Sequence, residues 1–216
     1  MTDKTRNIIN IAVLCAIAFA AVAIGRVPIV LFLKYDPKDT IIALGGFLFG
    51  PMASFYVLLI VSAVEMLTIS ETGILGCLMN IVSSCSFACI ASLVYQKKKT
   101  LRGAVIGLAA GCITMICIML LWNYFITPIY MGYPKEAVAR LLLPVFLPFN
   151  LLKGGLNAAF TFLLYRPIVQ ALRKTGTVKT NDSKQPQKHI GLMVFSGIII
   201  AACILFILFN QRGNVT

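Results

Sequence analysis

Long apolar stretches alternate with short polar connections along this chain, and within the stretches nothing alternates with period two. Apolar runs of about 17–25 residues read as bilayer-crossing helices, and the missing alternation excludes a transmembrane β-barrel. The first run spans about Ile8 to Gly25, and apolar sequence continues past Arg26 and Pro28 towards Leu33, leaving its end open. KYDPKD, Lys34 to Asp39, reads as a charged turn broken by Pro37. A short second run, Thr40 to Phe49, is set off by Gly50 and Pro51, which suggests a tilted or partly inserted helix. Further runs cover about Met52–Ile69, Ile74–Tyr95, Gly103–Ile126 and Leu141–Leu172, with MGYPKEAVAR (Met131 to Arg140) as a polar connection before the last. Residues 173–189 form a hydrophilic basic linker, and a seventh apolar run, Ile190 to Phe209, precedes a short tail.

The pattern predicts an all-α polytopic transmembrane helical bundle. Its organisation is a six-helix membrane domain over residues 1–172, the linker at 173–189, and an extra C-terminal transmembrane segment with its tail at 190–216. Composition agrees: 59% of the 216 residues are hydrophobic and 12% charged, against about 25% charged in soluble domains.

A net charge of +12 would point to nucleic acid in a soluble protein. Here the bases gather between spans, at Lys4 and Arg6, at Lys97, Lys98, Lys99 and Arg102, and at Arg173, Lys174, Lys179, Lys184 and Lys188. The other connections hold Asp36, Asp39, Glu71 and Glu136. The positive-inside rule therefore predicts a multi-pass cell-membrane protein with a cytoplasmic N-terminus. Anionic lipid is a natural contact for the basic clusters, and no nucleic acid is implied. The start also fits a signal peptide on charge and small residues, but the further spans favour a retained first helix.

All seven cysteines lie in apolar runs without a CxxC pair, and the single histidine, His189, has no companion ligand. Neither a disulfide framework nor a metal site is expected. No P-loop, HExxH or GxSxG occurs, so the chain supplies neither an ATP cradle nor a hydrolytic centre of its own. No catalysis and no cofactor are expected.

Polar residues inside the spans carry the functional signal. In PFNLLKGGLN, Pro148 to Asn157, the residues Asn150, Lys153 and Asn157 share one helix face. A lysine near mid-membrane costs about 2.5–3.5 kcal/mol on insertion scales, so snorkelling or packing explains it less well than a cavity does. Asn123, with Thr127 one turn on, and Asn80 in LMNIVSS are also polar within spans, with interhelical hydrogen bonding as the plain alternative. By topology Asp36, Asn123, Asn150 and Lys153 fall at one depth on the external side, a pattern suited to a ligand with carbonyls, hydroxyls and a flat apolar body. Asn157 lies deeper with no evident partner. Arg26 and Glu65 read as a structural ion pair; a single intramembrane carboxylate does not make a proton relay. Ala12, Ala16 and Ala20 form a small-residue stripe that allows close helix approach, within the bundle or to a partner.

AVLCAIAFAAVAI, FLKYDPKD, IIALGGFLFGP, GILGCLMNIVSS, NYFITPIY and PFNLLKGGLN with its LLYRP ending together resemble the substrate-binding S component of energy-coupling factor (ECF) vitamin transporters, most closely the riboflavin-specific type. The resemblance covers about residues 8–172, and the terminal linker and seventh run exceed it. It implies a six-helix bundle whose first loop caps an outward-open site, with riboflavin as transported ligand. Asn123, Asn150 and Lys153 would address the polar edge of the ring, Asp36 the ribityl side, and Asn80 stands as a further candidate. Ala12, Ala16 and Ala20 would face a transmembrane coupling protein that joins two ABC-type ATPase subunits. The alternatives are an S component for another vitamin, such as thiamine or folate, and more remotely an intramembrane enzyme.

Overall fold

The computed structural model describes residues 3–70, 72–174, 196, 197, 200 and 201. Helix α1, Asp3–Gly25, ends at the glycine, and the chain turns into a hairpin of β1, Val27–Val30, and β2, Leu33–Tyr35. The apolar sequence beyond Arg26 is therefore not helical. Val27, Ile29 and Val30 are β-branched and favour extended backbone, Pro28 lacks a helical N–H, and Leu31 at the turn takes a φ of 52°.

Helix α2, Lys38–Phe49, has twelve residues, about 18 Å at 1.5 Å per residue, too short for a hydrocarbon core of about 30 Å. It is sunk inside the bundle, with both ends of the sequence from Lys38 to Phe47 buried. Gly46 permits this, because a Cβ there would fall within 2.1 Å of the hydroxyls of Ser54 and Ser92.

Helix α3, Pro51–Thr68, begins with proline at its first position, where no helical hydrogen bond is lost. Helices α4, Gly73–Ser84, and α5, Ile90–Lys98, form one rod joined by a π turn at Cys85–Cys89. Helix α6, Leu101–Phe125, packs along that rod. Cβ atoms at Gly107 and Gly111 would sit 2.5 and 2.4 Å from the carbonyl oxygens of Ala91 and Phe87, so the two backbones touch directly.

Short helices α7, Thr127–Met131, and α8, Lys135–Leu141, replace the expected polar connection. A second π turn, Leu142–Phe146, leads into α9, Leu147–Lys174. Pro144 and Pro148 lack the N–H groups a regular ladder needs there. Among the described residues five helical segments are long and apolar enough to cross a membrane. With the buried α2 they make the six-element all-α bundle. Of the run Ile190–Phe209 only Ser196, Gly197, Ile200 and Ala201 are described, and the linker at 175–189 lies outside the described residues. Ile200 packs against the apolar cluster under the hairpin, which includes Ile29, Leu33, Phe146 and Phe149.

Candidate functional site

The polar residues of the bundle concentrate at the hairpin end, where α1 and α3 finish and α2, α4 and α9 begin. Asp36, Lys38, Asp39, Glu65, Asn123, Asn150, Lys153 and Asn157 are all buried there. Burying a charge is costly unless it is paired, and the ion pairs supply that compensation. Arg26 contacts Asp36 at 2.7 Å and also pairs with Glu65. Lys38 pairs with Glu65 and lies 4.0 Å from Asp36. Lys153 lies 3.4 Å from Asp39. Three cations thus meet three carboxylates, and the set carries no net charge.

A cleft opens beside this network. It is lined by Leu33 and Lys34 of the hairpin, Met79, Asn80 and Ser83 of α4, Met119 and Asn123 of α6, and Phe149, Asn150 and Lys153 of α9. A second, largely apolar pocket adjoins it at Met79 and is lined also by Phe32, Leu75, Trp122, Ile126, Thr127 and Tyr130. Phe32 and Tyr130 meet edge to face across it, ring centroids 5.2 Å apart.

Each polar side chain is held from behind. Asn123 donates to the Met119 carbonyl at 2.7 Å and accepts from Thr127 at 2.9 Å. Asn150 donates to the Phe146 carbonyl, at the end of the π turn, at 2.8 Å. Asn80 donates to Glu65 at 3.4 Å. Lys153 donates to Ser83 Oγ at 3.1 Å. These bonds fix the orientation of the side chains. An asparagine amide carries two hydrogens and two lone pairs and an ammonium three hydrogens, so capacity for a ligand's carbonyls and N–H groups remains.

Of the residues singled out in the sequence, Asn80, Asn123, Asn150 and Lys153 come together in one cleft. Asp36 does not line it, because the carboxylate is engaged by Arg26. Arg26 and Glu65 do pair, within a larger network than the sequence suggested. Asn157 has partners after all: it accepts from Tyr35 at 3.0 Å and Thr40 at 3.3 Å, and donates to Asp39 at 3.4 Å. Ala12, Ala16 and Ala20 are exposed along α1.

The sequence reading did not single out Lys38 and Asp39, which lie fully buried at the start of α2 where a charged turn was expected. It also missed Ser83 and Ser84, adjacent residues that reach Lys153 and Asp39 respectively. The signal was present as serines just before Cys85, but only the fold reveals their partners. Among the described residues no group of three or more His, Cys, Asp or Glu could hold a metal.

The comparisons with known proteins agree with this architecture. The chain is 28% identical over 181 residues to the riboflavin transporter RibU of Staphylococcus aureus (strain TCH60), covering 80% of this chain and 95% of that protein. It is 26% identical over 183 residues to the riboflavin transporter RibU of Streptococcus thermophilus (strain ATCC BAA-250 / LMG 18311), covering 79% and 86%. A solved structure of the S component of a bacterial ECF transporter superposes with a TM-score of 0.68 at 27% identity, covering 79% of this chain and 99% of that one. These relatives are transporter components rather than enzymes. Residues 6–165 match the family described as ECF transporter, substrate-specific component, and the chain belongs to that family.

Proposed function

We propose that this chain is the membrane-embedded riboflavin-binding subunit of an ECF-type importer. The observation that carries this is the pair of adjoining pockets, one lined by Lys34, Lys153 and three asparagine amides, the other walled by aromatic and apolar side chains. Lysine and asparagine donors suit the carbonyls of a flavin imide, and an asparagine carbonyl suits its ring N–H. The apolar pocket suits the flat ring body. The riboflavin transporters among the relatives support the same ligand.

In this reading the site faces outside, the N-terminus and the basic loop at Lys97–Arg102 face the cytoplasm, and residues 1–172 form the binding domain. Residues 173–189 are then a basic cytoplasmic linker, and 190–216 an added membrane segment with its tail. Asn80, Asn123, Asn150 and Lys153 contact the flavin, while Asp36 acts from the network behind. The exposed stripe of Ala12, Ala16 and Ala20 takes the transmembrane coupling protein, which joins two ATPase subunits that deliver the energy. Purified protein titrated with riboflavin, thiamine and folate tests the assignment. Quenching of flavin fluorescence, with the other vitamins failing to compete, is the expected result. Binding of thiamine or folate without riboflavin would transfer the protein to another substrate.

A further inference from the structure

Asp39 has no place in the cleft lining, yet its carboxylate has partners at both oxygens. Its side chain is fully buried at the start of α2. Ser84 of α4 donates to Oδ1, and Asn157 of α9 donates to Oδ2 at 3.4 Å. The same Oδ2 lies 3.4 Å from Lys153 Nζ. Asn157 is fixed in turn by Tyr35 of the hairpin and Thr40 of α2. A carboxylate clamped from two neighbouring helices, α4 and α9, cannot follow a moving lysine, so the lysine is held to it.

We infer that Asp39 is a positioning residue for the ligand: it anchors the Lys153 ammonium between α2 and α4 so that the remaining donor capacity points into the cleft. It also sets the electrostatics of that donor. With Asp39 in place, Lys153 hydrogen-bonds a ligand carbonyl as one half of a neutral pair. Without it, the cleft floor gains an uncompensated positive charge, which favours ionisation of an imide N–H nearby. Lys38 of α2, near Lys153, is itself paired with Glu65 and lies 4.0 Å from Asp36, Lys34 of β2 lines the cleft, and α4 and α6 contribute the uncharged Ser83, Asn80 and Asn123. Among the described ion pairs, Asp39 is the carboxylate that meets Lys153. This inference rests on the riboflavin reading.

The test is a double-mutant cycle on the full chain, with riboflavin affinity read by fluorescence quenching in wild type, Asp39→Asn, Lys153→Met and the double variant. If Asp39 acts through Lys153, Asp39→Asn weakens binding about tenfold or more in the wild-type background and less than about twofold once Lys153 is gone. The pH at which the bound ring ionises, followed by absorption, falls in Asp39→Asn, a shift that general loosening of the bundle does not produce. The same cycle with Ser84→Ala loosens Asp39 without removing its charge, and its smaller loss of affinity also vanishes in Lys153→Met. That arm does not depend on Asp39→Asn folding. Unchanged affinity in Asp39→Asn, or equal losses with and without Lys153, overturns the inference while wild-type binding leaves the riboflavin reading standing. A wild-type protein that does not bind riboflavin overturns both.

Discussion

Helices α1 and α9 belong to the same bundle and dispose their residues in opposite ways. On α9, Asn150, Lys153 and Asn157 are 2%, 5% and 0% exposed; Asn150 bonds the preceding π turn, and Lys153 and Asn157 meet partners on α2, α4 and the hairpin. On α1, Ile9, Val13 and Ile17 are 46%, 53% and 48% exposed, and the small Ala12, Ala16 and Ala20 are exposed with them. In water the second arrangement would be an aggregation hazard. In lipid it costs little, and the small residues leave a shallow face that another helix can approach closely. The polar face is satisfied within the chain, and the apolar face depends on what surrounds the chain. Under the proposed function, binding and coupling would fall on different surfaces.

That separation can be broken experimentally, beginning with the buried network. Glu65→Gln leaves Arg26 and Lys38 short of a carboxylate and should cost about 3–5 kcal/mol of stability, seen as a lower unfolding temperature in detergent. An unchanged unfolding temperature would mean the ion pairs are not what makes the polar end tolerable. Gly111→Leu drives a side chain into the Phe87 carbonyl and should cost about 1–3 kcal/mol, read in the same assay. Stability equal to wild type would show that α5 and α6 can separate freely.

Lys153→Met should weaken riboflavin binding by about 1–3 kcal/mol, since a charged hydrogen bond is lost at a buried site. Full affinity in that variant would make the lysine purely structural. The smallest effect on binding is expected from Ala16→Trp, which should alter isolated riboflavin affinity less than about twofold while reducing recovery of the chain with its coupling protein. A substantial loss of ligand affinity there would join the two faces that the structure keeps apart.

The spanning helices were legible because apolar runs of membrane length have few other uses, and Lys153 was legible because a lysine in such a run needs a reason. KYDPKD reads as a charged turn up to Pro37, but Lys38 and Asp39 already open the buried helix α2. Burial of these charges depends on Arg26, Glu65 and Lys153, residues distant in sequence whose charges cancel those of Asp36, Lys38 and Asp39. The apparent isolation of Asn157 has the same origin, since its partners Tyr35 and Thr40 lie more than a hundred residues away. The hairpin was hidden because β-branched apolar residues after Gly25 extend the hydrophobic run without extending the helix. The stripe of Gly103, Gly107 and Gly111 was readable at spacing four, yet it attracts less notice than the alanines of α1.

The central claim is that the cleft beside Lys153 holds riboflavin, and direct titration of the purified chain tests it most simply. Flavin fluorescence should be quenched to a plateau at about one flavin per chain, as one binding site per chain requires. Fluorescence that stays unquenched across the titration would contradict the account.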